Sequence, residues 1–315
     1  MRIVFMGTPD FSVPTLESLA ASRHQVVAVV TQPDKPKGRG KEIQMTPVKE
    51  AALAHHIPVY QPVRARDSAF VEEMRALAPD VMVVIAFGQI LSKELLEVPK
   101  YGCVNIHASL LPKYRGAAPI QWAVINGDEE TGITTMMMDV EMDTGDMLEK
   151  KTVKLEPEET GGSLFDRLSL LGGDLILSTL EKLENGTIKP EPQNHGEATY
   201  VKKISKSMGD IDWTMDAVSI ERLVRGLNPW PSAFTRLNGK MLKIWKAQVL
   251  SGAAGAENAA CGQILEAEGD VFTVKTGDGI LKILELQLEG KKRMDAAAFL
   301  RGFPAKAGMV LERSE

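Results

Sequence analysis

The chain has 315 residues, 44% of them hydrophobic and 25% charged, which is enough apolar material for two buried cores and argues for two domains. A net charge of −5 weighs against nucleic-acid binding by bulk charge and turns attention to local basic clusters. The two cysteines, Cys103 and Cys261, lie in segments read below as separate domains, which argues against a disulfide framework and for reduced, buried thiols. No Cys/His spacing suits a metal, no apolar run reaches membrane-spanning length, and the start Met-Arg-Ile-Val-Phe-Met has no long apolar leader, so a cytoplasmic monomer without membrane contact is expected.

Arg2 to Met6 reads as a short strand closing on Gly7-Thr8-Pro9, and Ser12 with Pro14 caps and opens a helix to about Ala21. Val26–Val30 and Val81–Ala86 are continuously apolar and β-branched, the pattern of strands covered on both faces, and they alternate with helices near Pro47–His55 and Ser68–Leu77. This predicts an α/β first half with a doubly wound, Rossmann-like, mostly parallel sheet, in which ligands bind beyond the carboxyl ends of the strands. The first turn, Gly-Thr-Pro-Asp, lacks G-x-G-x-x-G, so the fold carries no warrant for a dinucleotide. Gln32 to Lys41 places cations at Lys35, Lys37, Arg39 and Lys41 among prolines and glycines, and reads as an exposed mobile loop on the ligand edge; an ordinary solvated loop has equal standing on these residues alone.

In Val104-Asn105-Ile106-His107 the polar residues alternate with apolar ones at strand period, so the amide and the imidazole leave one face of a strand. Asp143-Thr144-Gly145-Asp146 follows the apolar run Ile133–Met138 and puts a carboxylate in a turn after another strand. If the two strand ends are neighbours, an amide donor, a proton-handling imidazole and a carboxylate that fixes it converge, a set suited to acyl transfer. Taken singly, an Asn and a His at a strand end are more often turn-formers or satisfied hydrogen-bonders than catalysts. Ser163 with Asp166 is expected to cap a helix running to about Leu183 and stopped by Asn185-Gly186. Residues 189–206, broken by Pro190 and Pro192 and ending in Lys202, Lys203 and Lys206, read as a linker between a domain 1–188 and a domain 207–315. In the second domain a helix over Asp216–Leu227 and Asn228-Pro229-Trp230-Pro231 precede Ala233–Leu237, the turn Asn238-Gly239 and Met241–Leu250, a hairpin signal. Further strands at Gly262–Glu266, Val271–Thr276 and Ile280–Gln287 suggest a small OB-like β-barrel. Residues 207–315 hold 14 Lys/Arg and 14 Asp/Glu, so the whole negative excess lies in 1–206; Lys291-Lys292-Arg293 is the densest basic cluster of the second domain.

Asn-x-His-x-Ser-Leu-Leu-Pro, then Tyr114-Arg115-Gly116, then Asp-x-Gly after the next strand, resembles the signature of the formyltransferases that use 10-formyltetrahydrofolate. The resemblance covers nearly the whole chain, and it implies Asn105, His107 and Asp143 as the catalytic trio. It also implies folate contacts at Ser109, Leu110, Leu111 and Pro112 and a pterin wall at Phe87, Gly88, Gln89 and Ile90. Within the family, the basic insertion at 35–41 resembles the members acting on initiator methionyl-tRNA. That implies tRNA contacts at Lys35, Lys37, Arg39 and Lys41, with Arg39 decisive, and a supporting platform from Lys202, Lys203, Lys206, Lys291, Lys292 and Arg293. Formylation of an amino sugar, hydrolysis of the formyl-folate, and RNA binding without catalysis remain the alternatives on the residues alone.

Overall fold

The computed structural model describes residues 1–37, 42–250 and 258–313. The chain forms two compact units, one of residues 1–119, 130–154 and 165–201, the other of 120–129, 155–164 and 202–315. Arg39 and Lys41, expected to contact tRNA, lie outside the described residues.

In chain order the first unit contributes β1 (Arg2–Gly7), β2 (Gln25–Val30), β3 (Lys35–Lys37), β4 (Glu42–Gln44), β5 (Val59–Tyr60), β6 (Val81–Ile85) and β7 (Cys103–His107), followed by β8 (Arg115–Gly116), β9 (Glu130–Met137), β10 (Met147–Lys154) and β11 (Tyr200–Val201). Its main sheet has the order β10-β9-β7-β6-β1-β2-β5; the five strands from β7 to β5 are parallel, while β9 and β10 run antiparallel. Ile3, Val4, Phe5 and Met6 are wholly buried, which is why β1 is an unbroken apolar run rather than an alternating one. The strand order turns back between β1 and β6, and the turns that leave these two strands are tied together: Thr8 Oγ1 donates to the Phe87 carbonyl at 3.0 Å and Ser12 Oγ to the Ile85 carbonyl at 2.8 Å.

Several expected elements shift. Ser12 stands at the N-cap of the first helix, Val13–Ala20, but its side chain makes no capping bond: its backbone is already helical, φ −83° and ψ −19°, not extended, and its buried hydroxyl donates to Ile85 instead. The start of the long helix Gly161–Glu184 is capped three residues earlier than expected, Thr160 Oγ1 accepting from Ser163 N at 3.0 Å and Ser163 Oγ from Thr160 N at 2.9 Å. The flanks of the basic insertion are a ribbon, not an irregular loop: β3 pairs antiparallel with β4, satisfying main-chain groups a free loop would leave to water. Residues 189–206, expected as a linker, are stitched down as far as Val201. Glu191 and Met147 exchange two main-chain hydrogen bonds, and Tyr200–Val201 run parallel to Arg115–Gly116 as β11 and β8.

The second unit carries β12 (Ala233–Leu237), β13 (Lys240–Leu250), β14 (Ile264–Glu268), β15 (Val271–Lys275), β16 (Ile280–Leu288) and β17 (Met294–Asp295), in an antiparallel sheet ordered β12-β13-β16-β15-β14 with β17 on β16. Asn238 and Gly239 both take positive φ, 51° and 75°, as the two-residue turn between β12 and β13 requires. The chain end joins the two edges of the sheet: Arg236 of β12 exchanges main-chain bonds with Glu312, and Ile264 N of β14 donates to the Met309 carbonyl at 2.7 Å. The closed ring surrounds a core in which Leu242, Ile264, Phe272, Val274, Leu281, Ile283 and Leu286 are fully buried.

Candidate active site

Strand β7 lies between β6 and β9, with Asn105 opposite Val84 on one side and Met136 on the other, and His107 opposite Thr134. Val104 and Ile106 are buried, whereas Asn105 is partly exposed. The two polar side chains therefore share the opposite face of the strand, as its two-residue repeat demands. The Asn105 amide has no hydrogen-bond partner among the described residues, which leaves its N–H groups able to donate to a ligand. His107 is 7% exposed, and its Nε2 is 2.9 Å from the carbonyl of Tyr114. A carbonyl only accepts, so that nitrogen carries the proton and Nδ1 is left as the ring position that gains or loses one. Nδ1 faces Asp143 Oδ1 at 3.8 Å, within ion-pair range but longer than a hydrogen bond.

Two residues flanking a buried arginine hold this pair. Tyr114 fixes the imidazole, Gly116 N donates to Asp143 Oδ2 at 2.7 Å, and Arg115 between them is the largest fully buried side chain. Tyr114, Ala118 and Asp143 take positive φ of 58°, 63° and 56°, uncommon values for residues with side chains and costlier for Tyr114 and Ala118 than for an aspartate. Beside the Asp143 turn, Met137, Met138, Asp139, Glu141, Thr144, Gly145, Asp146 and His195 line a cleft of about 490 Å³.

The residues expected to contact folate divide by exposure. Ser109 is fully buried and donates to the Lys113 carbonyl at 2.6 Å; Thr134 Oγ1 ties the same loop by donating to the Ser109 carbonyl and accepting from Leu111 N. Leu111 is 1% exposed and packs with Met136 and Met147, while Leu110 and Pro112 are half-buried. Phe87 is buried, Gly88 is exposed, and Ile90 is 73% exposed. Gln89 spends its side chain inside the protein, accepting from Ala65 N at 2.7 Å and donating to the Pro62 carbonyl at 3.1 Å. None of these residues walls the cleft beside the Asp143 turn.

Among the expected cationic contacts, Lys35 is exposed on β3, Lys37 ends that strand, and the ribbon's base is clamped by Lys49, which pairs with Asp34 at 2.5 Å and donates to Gln61. The hydrogen bond from Lys49 holds the Asp34 carboxyl below its ordinary range. Lys202, Lys203 and Lys206 are exposed, as are Lys291, Lys292 and Arg293. Arg293 is already engaged, by Glu285 and by the face of Trp245 at 5.0 Å, with Lys243 a further 5.5 Å cation on that ring. Sequence reasoning passed over Tyr114, Arg115, Gly116, Gln193 and His195 as contributors to the site. The first three stand inside the signature and were readable as candidates; Gln193 and His195, in a Pro-broken exposed stretch, carry no periodic signal. No group of His, Cys, Asp and Glu suited to a metal ion, and no helix long and apolar enough to cross a membrane, occurs among the described residues.

The profile described as formyl transferase matches residues 1–180, and that described as formyl transferase, C-terminal domain, matches residues 203–304. Over 308 residues the chain is 58% identical to a methionyl-tRNA formyltransferase of Agathobacter rectalis, covering 98% of both chains; over 313 residues it is 56% identical to one of Lachnospira eligens, covering 99% of both. Among solved structures, WlaRD, a sugar 3N-formyl transferase crystallised with dTDP and 5-N-formyl-THF, superposes with a TM-score of 0.66 at 18% identity, covering 93% of this chain and 99% of that one, a likeness of fold. With both domain profiles matched in order around the Asn105, His107 and Asp143 framework, and relatives this similar along its whole length, the chain belongs to the formyl transferase family.

Proposed function

We propose that this chain transfers a formyl group from 10-formyltetrahydrofolate to the α-amino group of methionyl initiator tRNA. The observation that carries the site assignment is the facing of His107 Nδ1 and Asp143 Oδ1 at 3.8 Å beside the unpartnered Asn105 amide on the same strand. The choice of acceptor is supported by relatives of that name at 58% and 56% identity.

On this reading the amine nitrogen attacks the formyl carbon, and the carbonyl electrons move onto oxygen. The Asn105 amide donates to that oxyanion, a donor aimed where charge develops. The amine must lose a proton as the new C–N bond forms. His107 is built to handle it at Nδ1, because Nε2–H is committed to Tyr114, and the neighbouring carboxylate of Asp143 stabilises the resulting imidazolium. Collapse of the intermediate breaks the bond from the formyl carbon to N10 of the folate, which departs with a proton as tetrahydrofolate. Leu110, Pro112, Gly88 and Ile90, the accessible members of the two expected folate segments, are the folate contacts in this proposal. The buried Ser109 and Leu111, Phe87 and the internally bonded Gln89 shape the loops that present them. Residues 207–315 and the lysines at 202, 203, 206, 291 and 292 would support the tRNA, with the insertion at 35–41 at its acceptor end. The protein works as a cytoplasmic monomer in this proposal.

The test is to incubate purified protein and 10-formyltetrahydrofolate with methionyl-tRNA, with an amino-sugar nucleotide, or with buffer, and to identify the formylated product. N-formylmethionyl-tRNA is expected; a formylated sugar or free formate as the main product overturns the acceptor. For the site, Asn105→Ala and His107→Ala should each lower turnover by about 100- to 1,000-fold with folding intact. Near-normal turnover in either variant would remove that residue from the mechanism.

A further inference from the structure

From Lys189 to Glu197 every residue is exposed except Gln193, which is 5% exposed. A polar side chain turned inward from an exposed strap is held there by its hydrogen bonds, since burying an unpaired amide is unfavourable. Gln193 makes all four that an amide can. Its Nε2 donates to the carbonyls of Asp143 and Gly145, each at 2.8 Å, and its Oε1 accepts from Arg115 Nε at 3.0 Å and Nη2 at 2.7 Å. The orientation is forced, because the two carbonyls need donors and the guanidinium needs an acceptor.

Arg115 is 0% exposed and has no carboxylate partner among the described residues; its remaining contacts are Tyr200, through Oη at 2.9 Å and the ring at 5.7 Å, and His195 Nδ1 at 3.3 and 3.4 Å. A guanidinium buried against neutral acceptors gives up most of its hydration without a countercharge, so it is poorly explained as a stabilising ion pair. It is well placed as an anchor. The rigid fork fixes the Gln193 oxygen, and the amide beyond it grips both ends of the turn that carries Asp143.

We propose that Gln193, backed by Arg115, is a positioning residue: it sets the backbone of the Asp143–Gly145 turn so that the Asp143 carboxylate faces His107 Nδ1. Neither residue touches substrate in this account. Asp143 is gripped twice, through its carboxylate by Gly116 N and through its backbone by Gln193, and both grips originate in the dipeptide Arg115-Gly116. The inference rests on the catalytic reading of Asp143.

Two substitutions separate positioning from mere docking of the strap. Gln193→Ala removes every contact. Gln193→Glu keeps the size and pairs with Arg115, so the strap stays docked, but it turns acceptor oxygens toward the two carbonyls and releases the turn. Both should lower kcat by about 10- to 100-fold, the scale of a misplaced catalytic group, with KM for tRNA and for folate within about threefold. Combined with Asp143→Asn, neither should slow the enzyme beyond Asp143→Asn alone, because the grip then has no carboxylate to place. In parallel, the 15N signal of His107 Nδ1 in Gln193→Glu should move toward its position in Asp143→Asn. Wild-type kcat in Gln193→Glu, effects that multiply in the double variant, or an unmoved Nδ1 signal would each overturn the proposal. Wild-type activity in Asp143→Asn would instead overturn the catalytic reading of Asp143, and the Nδ1 signal would still decide whether Gln193 governs the His107–Asp143 pair.

Discussion

Gly145→Ala should damage turnover out of proportion to stability. A methyl group built on Gly145 would lie 1.8 Å from the Met137 carbonyl oxygen and 2.9 Å from its carbon, whereas ordinary contact begins at 3.4 Å, so the turn must retreat by about 1.6 Å. Backbone cannot yield there as a flexible side chain would: Met137 N is bonded to the Asp146 carbonyl at 2.8 Å, and the Gly145 carbonyl is held by Gln193. Retreat therefore breaks one or both bonds, each worth about 1 kcal/mol, and lowers Tm by only a few degrees. Asp143 stands two residues away. If it follows by about 1 Å, its carboxylate separates from His107 and turnover falls by about 100-fold. Single-turnover formylation of methionyl-tRNA at saturating formyl-folate reads the chemical step directly, and calorimetry follows the fold. Gly302→Ala is the control: the site is exposed, nothing lies within 4 Å of the added methyl, and it ends the helix Ala296–Gly302, so activity should be unchanged and stability equal or about 0.5 kcal/mol higher. Turnover in Gly145→Ala within threefold of wild type, with Tm lowered as described, would refute the link between this turn and the reaction.

Burial alone would push the Glu149 carboxyl up, but hydrogen bonds from Lys182, Thr179 and Ser178 outweigh it and hold the group below its ordinary value. A depressed carboxyl contributes stability that is complete above the unfolded value of about 4.3 and is lost as pH falls through the folded value. The gap in urea midpoint between wild type and Glu149→Gln should therefore be largest near neutrality and close as pH drops below about 4; a pH-independent gap would contradict the assignment. Burial pushes the Cys103 thiol up to about 12, whereas Cys261, expected to be buried as well, is exposed, so iodoacetamide at pH 8 should alkylate Cys261 alone in the folded protein and both after unfolding, read by peptide mass spectrometry. Changing Lys35, Lys37 and Lys41 to alanine should flatten the salt dependence of tRNA binding by roughly 0.7 to 0.9 log units per lost phosphate contact, with folate binding unaffected. Arg39→Ala should cost more formylation than any single lysine change, and Arg39→Lys an intermediate amount; identical salt curves for all variants would remove the insertion from tRNA recognition.

The sequence by itself determined what depends on short repeats. Alternation in Val104-Asn105-Ile106-His107 put the amide and the imidazole on one strand face, the unbroken apolar runs at 26–30 and 81–85 marked a sheet covered on both sides, and Asn238-Gly239 marked the hairpin turn. Each of these follows from neighbouring residues and the geometry of one element. The signature also singled out Asp143, though on residues alone its meeting with His107 was conditional on strands being neighbours. That condition was decided by the tertiary structure, through the antiparallel β7–β9 pairing and the Gly116–Asp143 bond. So too was the conversion of residues 189–201 from linker into a strap, and the inward turn of Gln193 onto Arg115, 78 residues earlier in the chain. No local pattern distinguishes an exposed glutamine from one that satisfies four hydrogen bonds. The difference lies in donors and acceptors brought together only when distant segments close.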